Sequence, residues 1–458
     1  MMCLIKTDTS KKLCKKGKII VDGLKTSLNA IREISSEIYH KYIPILDEDS
    51  DISKLATPVL EVPEVYNEFC SALVNRIVYT QFINKSFRNP FVVLEGDAIP
   101  LGYAGQEIYT NPAKGRKFNS EDFIGLLTKY EADVKVQYTT INFDVQYPVT
   151  FSRQSLKKAF TSWGDLETFI ENLSNSLYNG AYIDEYNATK QLISGAYKQN
   201  LSVIETVSAI SSEATAKSFI TKARELYLQF QTPSDKYNAW HKNGGAGRPV
   251  VTWTNPEDIV FIVRNDIRSY LDVNVMASAF NIDKTTLLGN ILTINDFDIY
   301  DEEGTKIFDG SNIVGMIADK AWFRIKRQDM FMDSFYNPNN RSIQYYLNNI
   351  KMYQMSLFAN GVIFATQQPS VAITSMKFTS NTASVTAGEK VVLEITDVVP
   401  VTGNTTVTFT SSATGKATVE KVDDRHVEVT GVAAGSSTIT ATAGSVTATC
   451  SVTVSAAE

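Results

Sequence analysis

Histidine is scarce. His40, His241 and His426 are the only three in 458 residues, and they lie in separate stretches. A histidine-based metal site or a catalytic triad therefore has almost nothing to be built from. Four cysteines, Cys3, Cys14, Cys70 and Cys450, form neither a CxxC pair nor a dense framework. They exclude a disulfide scaffold and read as free thiols in a reducing compartment. The chain contains no GxSxG, HExxH, P-loop or GxGxxG. No stretch approaches about 18 consecutive apolar residues, the length a membrane-spanning helix needs. The opening MMCLIKTDTSKKLCKKGK has no apolar run long enough for a signal peptide, so a protein made in a cytoplasm, without a membrane partner, is the expectation. The carboxylates Asp301, Glu302 and Glu303, and Asp423 with Asp424, sit in turn-like acidic runs and read as solvated surface. No catalytic, cofactor or metal site is expected.

What is present is ordinary for a globular chain: 43% hydrophobic and 21% charged residues, enough for a sizeable core. The length implies two or three domains. A net charge of -6 argues against a protein that wraps nucleic acid. One basic block opposes it, with Lys6, Lys11, Lys12, Lys15, Lys16 and Lys18 in a short polar run. Such a block marks a solvated tail or an electrostatic contact with DNA or an acidic partner. Residues 1–23 read as a flexible basic arm.

The stretch around which the rest is arranged runs from Ser155 to Gly195. Leu166, Phe169, Ile170, Leu173 and Leu177 recur at helical spacing, and Ala181, Leu192 and Ile193 continue roughly that side. This predicts one long amphipathic helix over about 165–195, opened by Ser162 with Asp165 and stopped by Gly195. Helices are also expected over about 25–42, 63–78 and 212–230, with the acidic run 46–54 as loop and a strand within 79–94. From about 96 to 150 turn formers give way to the alternating ADVKVQYTTINFDVQYPVTF, an extended hairpin with little apolar surface of its own. Such a ribbon is marginal alone and must lie on something else. HKNGGAGRP at 241–249 is glycine-rich but leads into a strand, which argues against phosphate binding. The stretch 250–263 reads as strand, turn, strand, 257–281 as a buried strand followed by a helix and a loop, and 290–297, 315–327 and 342–366 as further strands, giving an α+β middle with a mixed sheet.

Composition changes at Gln367. Thr-, Val- and Ala-rich alternating strands separated by turns follow, predicting a small all-β sandwich at 372–458 behind a linker at 367–371.

Three segments carry a resemblance: AIPLGYAGQEIYTN (98–111), LKKAFTSWGDLETFIENLSNSLYNGAYIDEY (156–186) and LDVNVMASAFNIDKTTLLGN (271–290). They resemble the major capsid proteins of small protein-primed podoviruses, of the Salasmaviridae and Picovirinae type. The closing VTGVAAGSSTITATAGSVTATCSVTV resembles the bacterial immunoglobulin-like group 2 domain. The resemblance implies a Hong Kong 97-type capsid fold over 24–366, with a long hairpin loop that reaches over a neighbour, a spine helix and a mixed-sheet domain. It implies a structural subunit that assembles with itself into an icosahedral or elongated head shell around the phage genome. The partners implied are copies of itself in capsomers, a scaffolding protein, the portal and packaged double-stranded DNA, with assembly in the host bacterial cytoplasm. Tyr109, Tyr138, Phe143 and Trp163 become the candidate assembly residues. The alternative from another class is a bacterial surface adhesin or wall-associated protein carrying an immunoglobulin-like module.

Overall fold

The computed structural model describes residues 25–26, 28–47, 50–77, 87–100, 105–118, 128–268, 291–301 and 303–457. The basic arm, Cys3, Cys14, the segment 271–290 and residues 79–86 of the expected strand lie outside them. The described residues form two compact units. One holds those up to Gly105 with Thr139–Ala188 and Ile325–Tyr353; the other holds Gln106–Tyr138, Thr189–Arg324 and those from Gln354 on.

The first unit contains α1 (Glu37–Tyr42), α2 (Ser53–Glu61), α3 (Pro63–Ile77) and α4 (Arg153–Ala159). It also holds most of α5 (Trp163–Lys198), the long helix. The helix expected over 25–42 is interrupted: Ser36 caps α1 by accepting the Tyr39 amide hydrogen, so a cap residue breaks what periodicity joins. Within the expected strand, Pro90–Leu94 is instead a 3₁₀ turn with Pro at its start. At α5 Ser162 Oγ accepts from Asp165 N at 3.1 Å and donates to Asp165 Oδ2 at 2.7 Å, the expected cap.

The end of α5 differs from expectation. Gly195 lies inside the helix, and the stop comes at Asn200, whose φ of 55° puts it in the left-handed region. Its amide donates to Tyr197 O and that of Leu201 to Ala196 O, closing the helix in the manner more often served by glycine. With 36 residues, α5 is roughly 54 Å long.

The first unit's core is the stripe Leu166, Ile170, Leu173, Leu177 and Ala181 packed against Leu55, Val59, Val65 and Phe69 of α2 and α3. The other wall is a three-stranded sheet of β3 (Phe143–Ser152), β10 (Phe323–Asn337) and β11 (Ser342–Met355), with β11 in the middle. Alternate residues of β11, Ile343, Tyr345 and Leu347, enter this core. Two residues further on, the same alternation presents Asn349 and Lys351, both buried, and one turn past Ala181 the helix presents Glu185. Apolar stripe and apolar strand face thus turn polar together. Lys351, 1% exposed, lies 2.8 Å from Glu95 and 2.9 Å from Glu185. Arg327 lies 3.3 Å from Glu95, and Asn349 donates to Glu185 at 2.9 Å. Two cations thus meet two carboxylates, leaving no net charge to bury.

In the second unit, β1 (Gly105–Thr110) and β2 (Val134–Thr139) pair with each other. This corrects the hairpin expected from 96 to 150. The alternation continues through β3, but β3 pairs antiparallel with β11 from Ser342↔Ser152 to Lys351↔Phe143 and belongs to the core sheet. A five-stranded mixed sheet takes β4 (Val203–Thr206), β5 (Ile259–Arg264), β6 (Ile291–Ile294), β9 (Ile313–Asp319) and β12 (Gly361–Ala365), in the order β4-β12-β9-β5-β6. The strands β7 (Ile299–Tyr300) and β8 (Lys306–Phe308) form a separate small hairpin. Every residue of β12 is buried, which explains its continuous apolar run. α6 (Glu213–Phe230), opened by a Ser212–Thr215 capping box, covers one face through Phe219, Ala223 and Phe230; the Phe219 and Phe364 rings meet edge to face at 5.0 Å.

The C-terminal sandwich has eight strands: β13 (Ser375–Phe378), β14 (Thr382–Thr386), β15 (Lys390–Val399), β16 (Thr408–Ser411), β17 (Ala417–Lys421), β18 (His426–Gly431), β19 (Gly435–Ala443) and β20 (Val446–Ser455). They form two sheets, β13-β15-β18-β17 and β14-β20-β19-β16. Phe378, Leu393, Val427, Ile439 and Val452 fill the space between, along with Cys450, a buried free thiol that burial pushes up. The stretch expected as a free linker is tied down. Tyr197 donates to Gln367 O at 2.8 Å, Gln368 Nε2 to Thr206 Oγ1 at 3.1 Å and Asn404 Nδ2 to Pro369 O at 2.6 Å. Asn200 reaches into the sandwich and donates to Thr402 O at 3.0 Å.

Two stability outcomes follow from the first unit. Leu173→Ala, at a wholly buried position, is expected to cost about 2–5 kcal/mol, read as a lower denaturation midpoint. Lys351→Met removes the cation that Glu185 depends on and is expected to cost about 3–5 kcal/mol, while pairing it with Glu185→Leu recovers most of the loss in a double-mutant cycle. A double-variant loss equal to the sum of the two single losses would show that the ion cluster carries no coupling.

Candidate functional site

The β1–β2 ribbon has its polarity reversed. In an ordinary surface hairpin apolar side chains face the protein and polar ones face water. Here most of the inward residues are polar, Tyr109 being the aromatic exception. Gln137 donates from Nε2 to Met355 O and accepts from Leu357 N, both at 2.9 Å, so its amide extends the backbone ladder. Glu107 accepts from Ser356 Oγ at 2.9 Å and lies 3.6 Å from Arg324. The Lys135 ammonium sits 5.6 Å above the Trp240 ring, 2.9 Å from Asp133 and within 3.3 Å of Ala246 O. The Asn111 amide, then Lys135, holds the Asp133 carboxyl below the usual carboxylate range.

Ile108, 59% exposed, Val134, 48%, and Tyr138, 71%, face outward, in company with the polar Gln106 and Thr110 of β1. The ribbon is thus fixed largely by polar contacts and presents isoleucine, valine and tyrosine to solvent.

The glycine-rich loop at 241–249 is the seat for this ribbon. Gly244 and Gly247 take φ of 77° and 84°, and a Cβ on Gly245 would lie 2.4 Å from the Trp240 indole. The sequence HKNGGAGRP is thereby explained as a tight turn under Trp240, the ring that Lys135 caps. Lys242 at its start donates to Ser202 O at 2.6 Å, and burial brings its ammonium down to about 8.

The four candidate residues have different fates. Tyr138 is the most exposed of them. Tyr109 turns inward, donating its hydroxyl to Val251 O and stacking on Phe358 at 5.7 Å. Phe143 packs edge to face on Tyr353 at 5.3 Å within its own sheet. Trp163 opens α5 half-buried, its indole donating to Ser50 O at 3.3 Å. Ile108, on the strand whose first residues sit in a turn-rich stretch, was not singled out by the alternation that marks β2.

The acidic runs build turns. Asp301 accepts from the amides of Glu303 and Thr305, and Asp423 from those of Arg425 and His426. Among the described residues there is no group of three or more His, Cys, Asp or Glu placed to hold a metal, and no helix is long and apolar enough to cross a membrane.

Comparison with known proteins bears on the fold and the family. The major capsid protein of Bacillus phage B103 is 29% identical over 385 residues, covering 81% of each chain, and that of Bacillus phage PZA is 28% identical over 384 residues, 81% of this chain and 82% of the relative. Among solved structures, the capsid structure of Staphylococcus phage Andhra aligns over 63% of this chain and 87% of that one at a TM-score of 0.50 and 16% identity, which makes the fold that of phage capsids. The bacterial Ig-like domain (group 2) model matches residues 372–454. These findings favour the shell protein over the surface adhesin. The model of the Phi29-like phage major capsid protein matches residues 28–365, about three quarters of the chain, and the protein therefore belongs to that family of structural proteins of the phage virion, which are not enzymes.

Proposed function

We propose that the β1–β2 ribbon is the strap by which one subunit of the shell holds the next, with Ile108, Val134 and Tyr138 seated on a neighbouring copy. The observation that carries this is the reversed polarity: the ribbon spends its hydrogen bonds on its own subunit and leaves its apolar side chains for another. Repetition of one such heterologous contact closes a shell. The partners that complete the reading are a scaffolding protein, the portal and, on the inner face, packaged double-stranded DNA. Assembly takes place in the host bacterial cytoplasm. The shell domain spans 24–366 and the immunoglobulin-like domain 372–458, displayed by the shell rather than needed to close it.

Covering a side chain such as Tyr138 is worth about 1.5–3 kcal/mol by area, repeated at every contact. Ile108→Ser with Tyr138→Ser should accordingly abolish most closed particles in negative-stain counts while leaving the monomer's thermal midpoint within a degree or so. Phe143→Ser, whose ring packs on its own Tyr353, should do the reverse and lower the midpoint. Normal particle yield from the double variant would sink the strap.

A chain ending at Thr366 keeps β12 whole and loses the acceptors of Tyr197 and Asn200 and the Gln368 donor to Thr206, three bonds of about 1 kcal/mol each. It is expected to assemble into closed shells of slightly lower thermal stability. Soluble monomers that never close would instead make the sandwich part of the shell.

A further inference from the structure

A cavity of about 540 Å³ opens in the first unit where α2, the start of α4 and the turn between β10 and β11 meet. That volume falls within the range of about 300–1,000 Å³ that small-molecule sites occupy. Thr57, Leu60 and Glu61 of α2 line it, with Arg153 and Lys157 of α4 and Arg341 of the turn. Three cations thus share one cavity with a single carboxylate.

Each cation sits where its own element penalises it. Arg153 and Lys157 are four residues apart on α4, so their like charges meet across one turn. The ladder between β3 and β11 ends at Ser152 opposite Ser342, and one step further Arg153 N donates to Arg341 O at 3.2 Å. Two arginines therefore stand opposite each other, an arrangement that destabilises a strand pair. Arg341 also has a φ of 53°, in the left-handed region that glycine enters without cost and a residue with a Cβ does not. No ion pair among the described residues relieves Arg153, Lys157 or Arg341, and none joins Glu61 to them.

The arrangement is also held in place. The Arg153 guanidinium lies 5.4 Å over the Tyr66 ring, which meets Tyr336 edge to face at 5.8 Å. In the turn that carries Arg341, Asn337 Oδ1 accepts from Asn339 N at 3.0 Å and Asn340 Oδ1 from Ser342 N at 3.2 Å. Repulsion and backbone strain kept in a fixed frame around a cavity mark a ligand clamp.

The charge of the lining selects the ligand. Three cations less one carboxylate leave two positive charges to be met. A carboxylate or a phosphodiester link brings one negative charge, whereas a phosphate monoester brings about two near neutral pH, on three acceptor oxygens. Two guanidiniums grip such a group through paired N–H donors, and the Lys157 ammonium adds a point charge. The cavity is larger than a phosphate alone, and Leu60 offers apolar surface to the group that the ester carries. We propose that this cavity binds a phosphate monoester, or inorganic phosphate through the same contacts. Every residue that lines it belongs to one chain and one unit, so the site does not rest on the strap reading.

Calorimetric titration of the full chain with ribose 5-phosphate, inorganic phosphate and dimethyl phosphate, in chloride at constant ionic strength, tests this. The two dianions are expected to bind once per chain, and the singly charged dimethyl phosphate at least tenfold more weakly. Tighter binding of ribose 5-phosphate assigns the cavity to the ester, and tighter binding of inorganic phosphate to the free ion; either upholds the site. Lys157→Gln and Arg341→Gly should each lower the affinity at least tenfold. Arg341→Gly should do so without lowering the thermal midpoint in chloride, because glycine takes the left-handed backbone without strain. Lys158→Gln, next to Lys157 on α4 but outside the cavity lining, should leave the affinity unchanged. Should Arg341→Gly fail to fold, Lys157→Gln decides. Absence of binding by both dianions, dimethyl phosphate bound equally well, or an equal loss in Lys158→Gln would each overturn the proposal. So would tighter binding of hexa-aspartate, or of duplex DNA without terminal phosphates, in competition with ribose 5-phosphate, since the cavity would then serve an acidic peptide or the DNA backbone.

Discussion

The constraint on which the first unit depends is that a helix stripe and a strand face change character at the same height. Leu166 to Ala181 on α5 and Ile343 to Leu347 on β11 are apolar partners; Glu185 and Lys351 come next on each. A slip of β11 by one residue would turn Lys351 away from Glu185 and bring its neighbours to the helix, reversing every inward and outward side chain. Hydrophobic burial alone tolerates such repacking among residues of similar size. The ion cluster does not, because a misplaced lysine or glutamate would be buried without a partner. Glu95 and Arg327 extend the requirement to two further segments, so one neutral cluster specifies where four stretches of chain belong.

The same logic, inverted, describes the β1–β2 ribbon. Its fixed contacts are mostly polar and directional, while Ile108, Val134 and Tyr138 on its free face are apolar and undirected. Directional contacts to Met355, Leu357, Ser356 and Ala246 set the ribbon's orientation before any neighbour arrives, which lowers the ordering cost that association must meet. Apolar contacts then suit a surface that meets several slightly different neighbours in a curved shell, since they tolerate small changes of angle that a hydrogen bond would not.

The spine helix was legible because its period of 3.6 is written in five apolar positions, four of them leucine or isoleucine and the fifth Phe169, and α6 because Ser212 stands before an apolar-periodic run. The eight-stranded sandwich was legible from alternation and turns. What alternation cannot say is which strand lies beside which. VKVQY and FDVQY read as one hairpin because both alternate and only a few residues separate them. Their partners, β1 and β11, are fixed by contacts distant in sequence, Asn142 to Tyr353 and Gln137 to Met355 among them. Tyr109 and Phe143 were singled out as aromatic residues in that stretch, and pairing is what decides that Tyr138 faces outward while Phe143 faces its own sheet. Lys351 was invisible for a simpler reason: a lysine in an aromatic-rich run looks like a solvated interruption, and its two carboxylates come from segments far away.

The misread end of α5 carries a consequence for the C-terminal domain. Gly195 looks like a stop because glycine commonly ends helices, yet a Cβ there would meet nothing within 4 Å, so nothing in its surroundings requires glycine. The helix runs on through Tyr197 and ends at Asn200, and these two residues of the added turn are the ones that hold Gln367 and Thr402. Stopping at Gly195 would have left the sandwich on a free tether of a few residues. With the extra turn, bonds to either side of Pro369 fix how the domain leaves the mixed sheet, and the outer faces of the sandwich acquire definite directions within that unit. A tether lets every domain present either face; a tied stem makes all copies present the same one.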